Sequence, residues 1–162
     1  MSGIGWEASW KVLRVAGGRA LLKIRVTERI RTLKPKLLIV DDETAIRQQL
    51  YWTLCDEYDV TTASDLPSAM RHADNFEPVI SILDLHMPPV PDSPEVGLRI
   101  LDYLKEQRPS SKVYIVSSDE SIETKKACFR QGADGFLSKP LDVEQLLTTM
   151  RHSTLAARLE AA

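Results

Sequence analysis

Val79-Ile80-Ser81-Ile82-Leu83-Asp84-Leu85-His86-Met87-Pro88-Pro89 is the stretch on which the reading of this chain turns. It is short, almost wholly apolar and rich in β-branched residues, then stops on a carboxylate and enters a proline-broken loop. Those features predict a strand buried on both faces, as in the interior of a parallel sheet. A parallel sheet presents whatever follows each strand at its carboxyl edge, where open α/β sheets keep their ligand crevices. Asp84 is therefore a candidate site residue, although a lone aspartate in such a place more often caps a strand or starts a turn.

The pattern repeats on both sides. Upstream, Leu37-Leu38-Ile39-Val40 is an apolar strand ending on Asp41-Asp42, and Thr44 to Glu57 follows as a helix with Ile46, Leu50 and Leu54 on one face. Tyr58 to Thr62 is a second short strand, and Asp65-Leu66-Pro67 opens a helix through about Asn75, with a capping side chain and an early proline. Downstream, Pro88, Pro89, Pro91 and Pro94 exclude helix until Ser93-Pro94 starts one over Glu95 to Gln107. Val113-Tyr114-Ile115-Val116 then ends on Ser117-Ser118, and Ser118 or Asp119 is expected to cap a helix from about Glu120 to Gln131, closed by Gly132. Gly135-Phe136-Leu137-Ser138 is a fifth strand ending at Lys139-Pro140. Asp142 with Gln145 begins a last helix striped by Val143, Leu146, Leu147 and Met150. Five strands alternating with five helices predict an α/β fold, its parallel sheet joined by right-handed crossovers and covered by helices on both faces.

At 162 residues, 43% hydrophobic and 27% charged, the chain suits one domain with a full core. No apolar run approaches the roughly 20 residues that cross a bilayer, and no secretory h-region opens the sequence, so a cytoplasmic location is expected. Cys55 and Cys128 fall in predicted helices without metal-ligand spacing and read as free thiols. The charge is uneven. Residues 1–35 carry eight Lys or Arg against two acids, a net of +6, and the rest carries thirteen against twenty-one, a net of −8. An acidic body argues against a general nucleic-acid surface, and the basic head lacks a helix-turn-helix pattern. Within the head, Ala20-Leu21-Leu22-Lys23-Ile24-Arg25-Val26 fits a strand, a basic amphipathic helix or irregular chain equally. The expected partition is a poorly ordered basic extension over 1–35, a folded domain over 36–152, and a C-terminal helix extension or linker start over 153–162.

With parallel strands, Asp41, Asp42, Asp84, Ser117 and Lys139 share one rim. Like carboxylates packed together raise one another's pKa unless a cation is present. Their all-oxygen donor set suits Mg²⁺ rather than Zn²⁺. Lys139 supplies a fixed positive charge and Ser117 a hydroxyl able to donate to an oxyanion. A metal, a lysine and a hydroxyl around a carboxylate make a receptacle for a phosphoryl group, with the aspartate as a sufficient nucleophile. Each part alone has an ordinary explanation: an acidic helix start, a turn serine, a solvated lysine. Four strand ends each carrying the needed residue type is the stronger observation.

Leu38-Ile39-Val40-Asp41-Asp42-Glu43, Leu83-Asp84-Leu85-His86-Met87-Pro88, Ile115-Val116-Ser117-Ser118 and Leu137-Ser138-Lys139-Pro140 together resemble the four signature segments of response-regulator receiver domains of two-component signalling, over roughly Lys36 to Arg151. The resemblance implies a flavodoxin-like sheet of order 2-1-3-4-5. It implies Asp84 as phosphoacceptor from a sensor histidine kinase, and Asp41, Asp42, Asp84 and the backbone carbonyl of His86 as ligands of Mg²⁺. Lys139 would contact the acceptor and the phosphoryl oxygens, with Ser117 as switch hydroxyl and Phe136 as the aromatic that turns with it. The readout would be the surface of the fourth helix, fifth strand and fifth helix, through a downstream protein, a homodimer or an effector domain of the same protein. Such a chain is a phosphoacceptor rather than a turnover enzyme.

Some features depart from the family pattern. The connection from Pro89 to Glu95 looks about three residues longer than usual and resembles that of receivers in some sigma-54-dependent activators. Phe136 lacks the hydroxyl many relatives carry, and the His86 side chain reads as a rim residue rather than a catalytic base. No effector module follows the last helix, which leaves a stand-alone receiver and a fragment of a larger regulator both open. Two other classes fit the residues less well. A haloacid-dehalogenase-like phosphohydrolase needs an Asp-x-Asp nucleophile pair after the first strand, which Asp41-Asp42-Glu43 does not supply. A pseudo-receiver without phosphorylation fits poorly with an intact acidic pair, hydroxyl and lysine.

Overall fold

Ile80–Asp84 (β3) is a strand with every residue buried, and it lies at the centre of the sheet. The computed structural model describes residues 10–11, 24–25 and 34–160. The chain divides into two units, 1–34 and 35–162. In the first, Trp10–Lys11 pairs antiparallel with Ile24–Arg25; of the open alternatives for Ala20 to Val26, those two residues are strand. The remaining residues of the extension expected over 1–35 lie, up to residue 33, outside the described residues.

The second unit contains β1 (Lys36–Val40), α1 (Thr44–Leu54), β2 (Asp59–Ala63), α2 (Leu66–Phe76), β3, α3 (Glu95–Gln107), β4 (Lys112–Ser117), α4 (Ile122–Arg130), β5 (Gly135–Ser138) and α5 (Val143–Glu160). All four strand pairings are parallel and the order is β2-β1-β3-β4-β5. This is the five-stranded, helix-flanked sheet expected from the sequence. β1 and β3 are neighbours, with Leu37 opposite Ile80 and Val40 opposite Leu83, so the strand order reverses between them and a crevice opens at their carboxyl ends.

Two cores form because successive side chains of a buried strand point to opposite faces. Leu38, Val40, Leu83, Val113 and Ile115 face α2, α3 and α4 with Ala73, Ile100, Leu101 and Cys128. Leu37, Ile39, Ile80, Ile82 and Tyr114 face α1 and α5 with Leu50, Leu54, Leu146 and Met150. Each fully buried Leu or Ile contributes roughly 1.5–3 kcal/mol by leaving water, which makes the sheet's interior the principal source of stability.

Two helix boundaries differ from expectation. α1 stops at Leu54 rather than Glu57, with Cys55 as its C-cap; Tyr58 is 3% exposed in the second core, and the chain must turn out of the helix to bury it. α4 begins at Ile122, its N-cap being Ser121, which accepts from Thr124 N–H. Ser118 and Asp119 do not cap it; the Asp119 carboxylate instead accepts from Ser121 N–H and Thr124 Oγ1. At the other end of α4, Gly132 has φ +91°, the left-handed closure for which glycine is suited.

Candidate metal and phosphoryl site

Asp41 follows β1 and is 3% exposed; Asp84 ends β3 and is 5% exposed. Their burial follows from the apolar residues that lead into them, Leu37 to Val40 on β1 and Ile82-Leu83 on β3. The Lys139 ammonium, just past β5, donates to Asp84 Oδ2 at 2.7 Å and to Asp41 Oδ2 at 3.1 Å. Its position is set by the main chain, since Lys139 N–H donates to Ser117 O at 3.0 Å. The other carboxylate oxygens are held by backbone: Asp41 Oδ1 accepts from Glu43 N–H at 2.8 Å and Asp84 Oδ1 from His86 N–H at 3.2 Å.

Burial pushes the Asp41 carboxyl above its usual range, and the neighbouring Asp84 charge adds to this, although Lys139 and the Glu43 amide pull the other way. For Lys139, burial alone would lower the pKa; the hydrogen bond and charge of Asp84, followed by Asp41, outweigh it and hold the ammonium above its ordinary value. Asp41, Asp42 and Asp84 bring carboxylate oxygens within 4.8 Å of one another. Lys139 pairs with two of the three, Asp84 and Asp41, so the cluster retains negative charge that a hard dication would neutralise. The donors are all oxygen and lack the Cys or His sulfur and nitrogen that favour zinc. The residues present therefore fit Mg²⁺.

Ser117, the last residue of β4, is fully buried, and its hydroxyl oxygen accepts from Asp119 N–H at 3.1 Å, leaving its proton for another acceptor. Phe136 on β5 is partly buried against the first core, with Lys125 Nζ 5.2 Å from its ring centre. Every residue expected at the rim lies on that sheet edge or on the strands that form it. The half-buried His86 ring is held at the rim: Nδ1 hydrogen-bonds to Pro91 O at 2.9 Å and Nε2 lies 3.9 Å from Asp119 Oδ2.

Two participants were not singled out from sequence. Arg47 on α1 donates to the Asp41 carbonyl at 2.6 Å and to Thr44 Oγ1 at 3.0 Å, so it clamps the acidic turn from behind. A helix arginine six residues after an aspartate carries no sequence signal for this. Asp119 accepts from Thr124 Oγ1 at 2.6 Å and Ser121 N–H at 2.9 Å, and those hydrogen bonds, with a smaller share from His86, bring its carboxyl down to about 2. The sequence points to Ser118 or Asp119 as the cap of a helix start, whereas the cap is Ser121.

A doubly wound parallel sheet with an acidic pocket, a lysine and a hydroxyl at its switch point defines a class of phosphate-handling α/β proteins. Residues 37–151 match the family model of the response regulator receiver domain, and the chain belongs to that family, whose members accept a phosphoryl group rather than turn over a substrate. The chain is 28% identical to the probable transcriptional regulatory protein TcrX of Mycobacterium tuberculosis, over 71% of this chain and 47% of TcrX. It is 32% identical to the nitrogen assimilation regulatory protein NtrX of Azorhizobium caulinodans, over 76% of this chain and 27% of NtrX. Among solved structures, that of Vibrio cholerae chemotaxis protein CheY4 aligns with TM-score 0.67 and 30% identity, covering 74% of this chain and 98% of CheY4. The chain thus spans less than half the length of both curated relatives.

Proposed function

We propose that this chain is the phosphorylated switch of a two-component pathway, with Asp84 the residue that takes the phosphoryl group from a phosphohistidine of a sensor kinase. One Asp84 oxygen bonds to phosphorus as the P–N bond breaks, and the kinase imidazole leaves with the electron pair. Support comes chiefly from Lys139, whose ammonium reaches the acceptor carboxylate and the metal-side carboxylate of Asp41 together. Asp41, Asp42, Asp84 and the His86 carbonyl would hold Mg²⁺, which when bound neutralises charge on the phosphoryl oxygens. Lys139 would bind those oxygens as well and stay protonated. Ser117 donates its free hydroxyl proton to the phosphoryl group, and Phe136 moves with it, a population shift driven by new charge-assisted hydrogen bonds.

The switch module is residues 36–152, and its last helix runs on to Glu160. Its readout is the face of α4, β5 and α5, where Ile122 and Phe129 are 64% and 51% exposed on α4. That face would engage a downstream protein, a second copy or an effector domain of the same protein, in the cytoplasm. No DNA contact is assigned to this chain. Among the described residues no helix is long and apolar enough to cross a membrane.

Intact mass after incubation with Mg²⁺ and acetyl phosphate tests the reading. A single phosphoryl adduct is expected in the wild type and none in Asp84→Asn or in chelator. An adduct surviving Asp84→Asn at the same level overturns the assignment.

A further inference from the structure

Gly97 sits in the first turn of α3, and a β-carbon added there would lie 2.4 Å from the Leu85 Cα, 2.8 Å from the Asp84 carbonyl oxygen and 2.8 Å from the Leu85 carbonyl oxygen. All three atoms are backbone, so no side-chain rotation relieves the overlap; the helix or the strand end must move. The contact is also a bond, because Gly97 N–H donates to Leu85 O at 3.2 Å. α3 is anchored behind this contact by buried Val96, Ile100, Leu101 and Leu104, and Leu85 itself is fully buried. The chain that α3 presses on is Asp84-Leu85-His86, whose Asp84 side chain and His86 amide are already joined at 3.2 Å.

We propose that Gly97 is a positioning residue: the bare face it gives α3 lets the helix seat against the Asp84–Leu85 backbone and fixes where the Asp84 carboxylate and the His86 carbonyl stand for metal and phosphoryl group. This rests on the reading of Asp84 as acceptor and of His86 as a ligand. Gly97 touches neither metal nor phosphoryl group and acts through the peptide units of Asp84 and Leu85. A shift of the size that a 2.4 Å contact demands, about 1 Å toward ordinary van der Waals separation, is comparable to the misplacements that cost on the order of a hundredfold in catalytic sites.

The test compares Gly97→Ala with Leu104→Ala, a cavity variant at the far end of the same helix, in the full chain. Mg²⁺ affinity is measured by isothermal titration calorimetry, adduct formation from acetyl phosphate by mass, and stability by urea. Gly97→Ala is expected to weaken Mg²⁺ binding at least tenfold and slow adduct formation at least as much, whereas Leu104→Ala loses stability and keeps wild-type affinity. Equal Mg²⁺ affinity in Gly97→Ala and wild type, or an equal loss in Leu104→Ala, overturns the proposal. Should Gly97→Ala fail to fold, the Gly97 amide resonance of the wild type is followed through a Mg²⁺ titration. A shift saturating with the calorimetric curve supports the contact, and no shift overturns it. Failure of the acceptor assignment reads out separately, as an adduct that persists in Asp84→Asn.

Discussion

Asp119 shows how a single side chain acquires a role from its neighbours. Its carboxylate accepts from Thr124 and Ser121 while facing the His86 ring, and its pKa falls to about 2. A depressed folded-state pKa means that the ionised form is favoured in the native protein. The stability it adds is present above the unfolded value near 3.8 and is lost as pH falls toward 2. Asp119→Asn should therefore remove part of the acid-side slope of unfolding free energy between about pH 4 and 2, measured by urea titration at each pH, with little change in slope above pH 5. A slope identical to wild type throughout would show that those hydrogen bonds do not select the ionised form. Asp84 was legible from the sequence because one chemical fact, an apolar run ending on a carboxylate, carries its place in the sheet. Asp119, Arg47 and Gly97 were not, because their partners depend on how loops and helix starts meet across the edge, and no periodic pattern encodes that.

At the level of elements, α2 is the helix whose start the sequence specified most fully. Asp65 Oδ1 accepts from Ser68 N–H at 2.7 Å and Ser68 Oγ from Asp65 N–H at 3.3 Å, a reciprocal cap with Pro67 in the first turn. Such a cap is worth about 1 kcal/mol, and the Ser68 hydrogen bonds hold the Asp65 carboxyl below its usual range. Asp65→Ala should lower unfolding free energy by roughly that amount at pH 7. The deficit should shrink as pH drops below the unfolded pKa and through the lowered native one, because protonation removes the same charge that the mutation does. A deficit unchanged down to pH 2 would argue against the capping carboxylate as its cause. α4 illustrates the opposite case: Ser118, Asp119 and Ser121, three of four consecutive residues, each suit an N-cap by type. The choice fell to Ser121 because Asp119 turns back to bind Ser121 N–H and Thr124. α1 likewise ended early because burial of Tyr58 outweighed continuation of the helical pattern.

Across the molecule, the alternation of five strands and five helices was visible in the sequence, since each strand is either a continuous apolar run or bounded by glycine, proline or serine. The same regularity predicts a global consequence of filling the site. Asp41, Asp42 and Asp84 form their cluster only in the folded sheet, because they follow strands that pair through folding, so Mg²⁺ binds the native state in preference to the unfolded chain. At a Mg²⁺ concentration one hundred times its dissociation constant, stability should rise by about 2.7 kcal/mol. The melting temperature should climb with Mg²⁺ and return to its starting value on chelation. Asp42→Asn, which leaves the Lys139 ion pairs in place, should lose most of that rise; a rise of wild-type size in this variant would remove Asp42 from the ligand set.

Lys139 stands after the edge strand β5 yet grips carboxylates on β3 and β1, two and three strands away in the sheet order. One ammonium with two creditors behaves as a balance beam. Charge added at Asp84 would draw Nζ toward β3 and loosen its hold on Asp41, so an event at the centre of the sheet would be weighed at its first strand and felt at its rim. The edge strand is joined to that beam by main chain, through the single residue step from Ser138 to Lys139.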